Sequence, residues 1–133
     1  MWDNAEEWTK DFDDFSITVK RWESPTIYPD KGKYRWNIYV YIYPEHPFIM
    51  NNRIEDLKEK AYSFPMHGGV SYFRIRYNDT KHLSSVQVGC DYDYFKNARF
   101  SFYKTIEEAK EIFEHAEYLI NWLNDENNFR ATQ

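Results

Sequence analysis

The chain has 133 residues, of which 20% are aromatic, and carries a formal net charge of −5. That length suits one domain with one modest core, and the acidic balance argues against binding duplex nucleic acid, which relies on Lys and Arg to neutralise phosphates. Cys90 stands alone, so an intramolecular disulfide is excluded. There is no paired Cys/His spacing for zinc and no apolar run of membrane-spanning length, so neither a metal, a cofactor nor a membrane is expected.

Trp2, Ala5, Trp8 and Phe12 recur at roughly helical spacing, with Asp3 and Glu6 placed as a capping box. A helix is therefore predicted within residues 1–14. The same stretch is acidic and lacks the basic and apolar regions of a signal peptide, so a cytosolic location is expected. "FSITVKRW" alternates, with Phe15, Ile17 and Val19 opposing Ser16, Thr18 and Lys20, and predicts a half-buried strand. After a Pro/Asp/Gly loop, "YRWNIYVYIY" (Tyr34 to Tyr43) is the strongest strand signal, ended by Pro44. "RIEDLKEKAY" predicts a short helix capped by Asn51 or Asn52.

The stretch "FPMHGGVSYFRIRY" brings a Met-His-Gly-Gly turn to the mouth of a strand with alternate arginines. Paired glycines tolerate positive φ and close approach of a ligand, and His67 beside Gly68 and Gly69 titrates near neutral pH. In the strand that follows, Phe73, Ile75 and Tyr77 oppose Tyr72, Arg74 and Arg76. "NDTKH" predicts a turn, and "LSSVQVGCDYDY" a strand with Val86, Val88 and Cys90 inward. "KNARFSFYK" predicts a last strand with Phe100 and Phe102 inward. Thr105 and Glu108 then open a long C-terminal helix whose apolar stripe runs from Ile106 to Leu123. The polar tail 125–133 is expected to fray.

These elements predict an α+β fold, an antiparallel sheet of four or five strands with the C-terminal helix on one face. Its other face would collect Tyr39, Tyr41, Tyr43, Tyr72, Arg74, Arg76, Gln87, Asp91, Arg99 and Tyr103. Aromatic faces beside guanidinium forks can stack on bases and bind phosphates, and the same residues also suit an ordinary solvated sheet surface. The chain has no phosphate loop, no dinucleotide fingerprint and no Gly-x-Ser-x-Gly elbow, so no catalytic residue is assigned and an enzyme is not expected. Cys90, inward on its strand, is expected to be inert core.

The succession "YVYIYPEHPF", "MHGGVSYF" and "VQVGCDYDYF" resembles a family of small phage and prophage proteins. Their pattern is a Pro-x-x-His-Pro turn, a His-Gly-Gly-aliphatic-Ser/Thr-Tyr motif and a Gly-x-Asp strand, matched here by Pro44, His46 and Pro47, by His67 to Tyr72, and by Gly89 and Asp91. Cys90 precedes Asp91, where the pattern often places a later Cys, and Tyr94 stands in place of its His. The resemblance implies a phage-encoded protein of the host bacterial cytoplasm acting against host defence. It points to sequestration of a nucleotide-derived immune signal, a cyclic oligonucleotide or cyclic ADP-ribose derivative, by a homo-oligomer without turnover. Alternatives are an anti-CRISPR-type inhibitor of a host defence protein and a small hydrolase of such a nucleotide. The ligand site expected on the first reading comprises His67, Gly68, Gly69, Tyr72, Arg74, Arg76, Tyr41, Asp91, Tyr92 and Arg99.

Overall fold

Alternation of apolar and polar side chains builds one antiparallel sheet from β1 (Glu6–Asp11), β2 (Phe15–Glu23), β3 (Tyr34–Ile42), β4 (Tyr72–Tyr77) and β5 (Leu83–Asp91). The structure is a computed structural model, and it describes residues 6–24, 30–92 and 98–130. The strand order is β1-β2-β3-β5-β4. The first three strands follow one another as a meander. The connection after β3 carries two short helices, α1 (Pro47–Met50) and α2 (Leu57–Ala61), and delivers β4 to the far edge, from which β5 returns between β4 and β3. The fold is α+β, as expected, with five strands and a C-terminal helix, α3 (Lys110–Asn124).

The inward face of the sheet is apolar. Phe15, Ile17, Val19, Trp36, Ile38, Val40, Val86, Val88 and Cys90 lie on it, all buried, and α3 covers it with Ile112, Ala116, Leu119, Ile120 and Leu123. Phe113 of α3 meets Trp8 and Trp36 edge-on, at centroid separations of 5.5 and 6.1 Å, while the two indoles stack at 5.7 Å. Thr105 and Glu108 exchange the predicted bonds, Glu108 N–H donating to Thr105 Oγ1 and Thr105 N–H to Glu108 Oε1, both at 3.1 Å, but they close the turn before α3 and do not open the helix, which starts at Lys110 with Ala109 at its N-cap.

Four local expectations are corrected. The N-terminal helix is replaced, over its described residues, by the strand β1, because Trp8 opposite Val19 gains both a backbone ladder and the Trp36 stack. Tertiary pairing outweighs the weak helical spacing of so short a segment. The hairpin that allows it turns at "FDDF", where Phe12 N–H donates to the Phe15 carbonyl and the two rings stack at 4.6 Å. Trp2, Asp3 and Ala5 lie outside the described residues.

The expected last strand is a 3₁₀ turn over Ala98–Phe102. The tighter coil turns Phe100 inward against His67 and Tyr92, where it is buried, and leaves Phe102 exposed. Neither Asn51 nor Asn52 caps the start of the next helix: Asn51 is the C-cap of α1, and the two side-chain amides donate to the carbonyls of Phe129 and Phe48. The tail is not frayed through residue 130. A 3₁₀ turn at Glu126–Phe129, capped by Asp125, buries Phe129 among Phe48, Phe64 and Trp122; residues 131–133 lie outside the described residues.

Candidate functional site

The sheet register assigns each candidate residue to a face, since residues directly opposed across an antiparallel ladder share one. Tyr72 opposes Gly89, which opposes Tyr39; Arg74 opposes Gln87, which opposes Tyr41; Arg76 opposes Ser85; Asp91 opposes Asn37. Tyr41, Tyr72, Arg74, Arg76 and Asp91 therefore stand on the face away from α3, together with Tyr39 and Gln87.

On that face the side chains are organised by one another. Arg76 donates from Nε (3.2 Å) and Nη2 (2.6 Å) to the single oxygen Gln87 Oε1, and Gln87 Nε2 donates to Tyr41 Oη at 3.2 Å. The chain Arg76–Gln87–Tyr41 crosses three strands and holds the guanidinium at the surface. Tyr39 and Tyr72 meet edge to face at 5.7 Å. Gly89 makes this arrangement possible: a Cβ there would stand 2.5 Å from the Tyr39 ring, so only glycine lets that ring lie on the strand. Burial raises the pKa of Tyr39, reinforced by Tyr41, Tyr72 and Asp91. Burial also raises that of Tyr41 despite the opposing charge of Arg76. Both phenols thus remain protonated donors at neutral pH. Arg74 is exposed and makes no hydrogen bond or ion pair among the described residues.

The remaining candidates lie elsewhere. Tyr92 is buried on the α3 side, its Oη 2.7 Å from His115 Nδ1. His67 stacks parallel over that pair, at 4.7 Å from the Tyr92 centroid and 5.5 Å from His115, with Phe100 edge-on at 5.2 Å. Arg99 is exposed on the same side, paired with Glu111 of α3 at 2.9 Å and lying over the Phe100 ring. The site expected from the sequence is thus divided. The sheet separates His67, Tyr92 and Arg99 from Arg74 and Arg76, and neither Arg99 nor Tyr103 belongs to the sheet face, because their segment is not a strand.

Gly68 and Gly69 have φ of 70° and 90°, and Gly69 N–H donates to the Met66 carbonyl at 2.9 Å. The Met66–Gly69 segment is a tight turn that needs positive φ at its third residue, the reason for glycine there. The Gly69 N–H is committed to closing that turn. His67 is left against Tyr92, where burial first, then His115 and Arg99, lower its pKa against the opposing influence of Glu111.

His46, matched to the first motif of the resemblance, is a structural residue. It is fully buried, Nδ1 accepts from Phe48 N–H at 3.0 Å, and Nε2 lies 2.9 Å from the Leu123 carbonyl. Those partners require the neutral tautomer with its proton on Nε2, so one imidazole caps the start of α1 and holds the end of α3. Burial lowers its pKa. For His46 and His67 the folded-state pKa lies below the unfolded value, so the stability each contributes is present above about pH 6.5 and is lost as pH falls through the folded values. The urea midpoint is expected to fall between pH 7.5 and pH 5.5, with a smaller fall in His46→Gln, which keeps only the share of His67. Equal midpoints in the native chain at the two pH values would refute this account.

Cys90 is buried beside Ile38, and burial pushes its thiol up to about 12, so it is no nucleophile at neutral pH. Among the described residues no three His, Cys, Asp or Glu side chains are grouped to hold a metal ion, and no helix is long and apolar enough to cross a membrane.

Sequence reasoning found the Tyr/Arg face through alternation alone. It did not anticipate His115 as the partner of Tyr92, because residues 23 apart on different elements carry no local signal of contact. No family model, curated protein or solved structure matches the chain.

Proposed function

We propose that the chain is a non-catalytic binding protein whose open sheet face takes a nucleotide-derived anion. The observation that carries this reading is the pair of guanidiniums on that face, Arg74 without an intramolecular partner among the described residues and Arg76 aimed by Gln87, bordered by Tyr39, Tyr41 and Tyr72. Arginine forks match phosphate oxygens, and phenol rings offer both stacking surface and protonated donors. Following the resemblance to small phage proteins, the ligand class is a cyclic oligonucleotide or a cyclic ADP-ribose derivative, held in the host cytoplasm as a countermeasure to defence. On this reading a second copy of the chain closes the face over the ligand.

The second reading, a host defence protein bound on the same face, is favoured by one feature: the face is an open sheet surface, a shape suited to a broad partner. A thermal-shift screen against cyclic dinucleotides, cyclic trinucleotides, ADP-ribose and its cyclised forms separates the two. A bound ligand at 100 times its dissociation constant adds about 2.7 kcal/mol of stability. A shift with one class, followed by release of the intact compound on heating, is the expected result. A new chromatographic peak after incubation would make the chain a hydrolase, and no shift with any compound would move the assignment to the protein partner.

A further inference from the structure

Where the end of α2, the end of α3 and the 3₁₀ turn at Glu126–Phe129 meet, they leave a cavity of about 240 Å³. Its floor is aromatic. The half-buried Trp122 meets Phe64 at 4.8 Å and Phe129 at 4.9 Å, and Phe48 meets Phe64 at 5.0 Å.

The border is polar and of one sign. Lys60, Arg130, Asn52, Ser63 and Asn128 line it, and no carboxylate does, although the chain as a whole carries −5. Neither Lys60 nor Arg130 forms an ion pair among the described residues; one N–H of Arg130 donates to Asn127 Oδ1. The two amides are held in place, Asn52 Nδ2 donating to the Phe48 carbonyl and Asn128 Nδ2 to the Trp122 carbonyl, both at 2.9 Å. An amide nitrogen carries two N–H groups, so each keeps a second one to donate.

An aromatic floor bordered by two uncompensated cations and spare amide donors recognises a flat ring that bears a negative group. Size narrows the choice. A cavity of about 150 Å³ holds benzene, so this one suits a single ring with one anionic substituent and is too small for the cyclic nucleotides assigned to the sheet face. We propose that the cavity is a second ligand site, for a small aromatic carboxylate or phosphate whose anionic group lies between Lys60 and Arg130 and whose ring lies on Trp122. It sits on the α3 side of the sheet, away from Arg74 and Arg76, and does not depend on what binds there.

Calorimetric titration with phenyl phosphate, benzoate, benzylamine and inorganic phosphate tests this. At 50 mM NaCl at least one of the two aromatic anions is expected to bind one per chain, at least tenfold tighter than either benzylamine or inorganic phosphate, and to weaken at 500 mM NaCl as screening shortens. The tighter of the two anions identifies the head group. The double variant Lys60→Ala, Arg130→Ala changes two exposed side chains and should keep the urea midpoint of the parent while weakening that anion at least tenfold. Arg74→Ala should leave its affinity unchanged. Failure of both aromatic anions to bind, equal affinity for benzylamine, or binding undiminished in the double variant would overturn the proposal. Binding lost in Arg74→Ala instead would place the probe on the sheet face and overturn it as well.

Discussion

A chain carrying Arg74→Ala and Arg76→Ala together is expected to lose its nucleotide ligand by a factor of 10² to 10⁴. The estimate follows from about 1.5–3 kcal/mol for each charged hydrogen-bonding group removed, taken as independent. Removing Arg74 should hardly change folding, since it has no intramolecular partner among the described residues, whereas removing Arg76 takes both donors from the buried Gln87 Oε1 and should cost about 1–3 kcal/mol. The two single variants should differ in kind. Arg74→Ala removes a contact alone, whereas Arg76→Ala also frees Gln87 and through it Tyr41. Arg76→Lys should not rescue, because one ammonium cannot reproduce two N–H groups converging on Gln87 Oε1. The check is calorimetric titration with the compound that gives the thermal shift. Unchanged affinity in the double variant would remove the sheet face from consideration as the ligand site.

Phe129→Ala is expected to cost about 3–5 kcal/mol, the range for deleting a buried phenylalanine ring. Its ring meets His46 at 4.8 Å and Trp122 at 4.9 Å, edge-on to both, and Phe48 and Phe64 lie just beyond. The backbone there is tied as well, with the Phe129 carbonyl accepting from the Asn51 amide. The last described turn thus plugs the end of the core where α1, α2 and α3 converge. A chain ending at Asp125 should lose at least as much stability as the point variant. Urea unfolding measures both, and a loss below about 1 kcal/mol in Phe129→Ala would show that the tail does not hold the core.

The open face was legible because its signal is local. A period of two assigns each residue of a strand to one side, and Tyr39, Tyr41, Tyr72, Arg74, Arg76 and Gln87 kept the side that the alternation implied. The change in register among the described residues, a bulge at Arg76/Tyr77, falls after the arginines and leaves them in place. Where strand identity itself was misread, the inferred face went with it. Arg99 and Tyr103 belong to a 3₁₀ turn and its exit, and so pair with α3 and the core. Tyr92, just beyond β5, follows Cys90 to the inner side, where its hydroxyl finds His115.

The histidines show the opposite balance. His46 matches the Pro-x-x-His-Pro turn of the resemblance, yet burial and two backbone partners make it the joint between α1 and α3. His67 was expected in the ligand site and instead lies flat over Tyr92 and His115.

By itself the sequence determined the fold class, the polar and apolar sides of the strands, the capping box before α3 and the turn chemistry of Gly68 and Gly69. Each depends on periodicity or on a backbone preference expressed within a few residues. Only the tertiary structure decided that residues 6–11 form an edge strand, that Phe129 completes the core, and that the His-Gly-Gly turn and the arginines lie on opposite sides of the sheet. Those outcomes depend on which ladder positions and which apolar gaps remain once the distant elements have packed, and no local pattern encodes them.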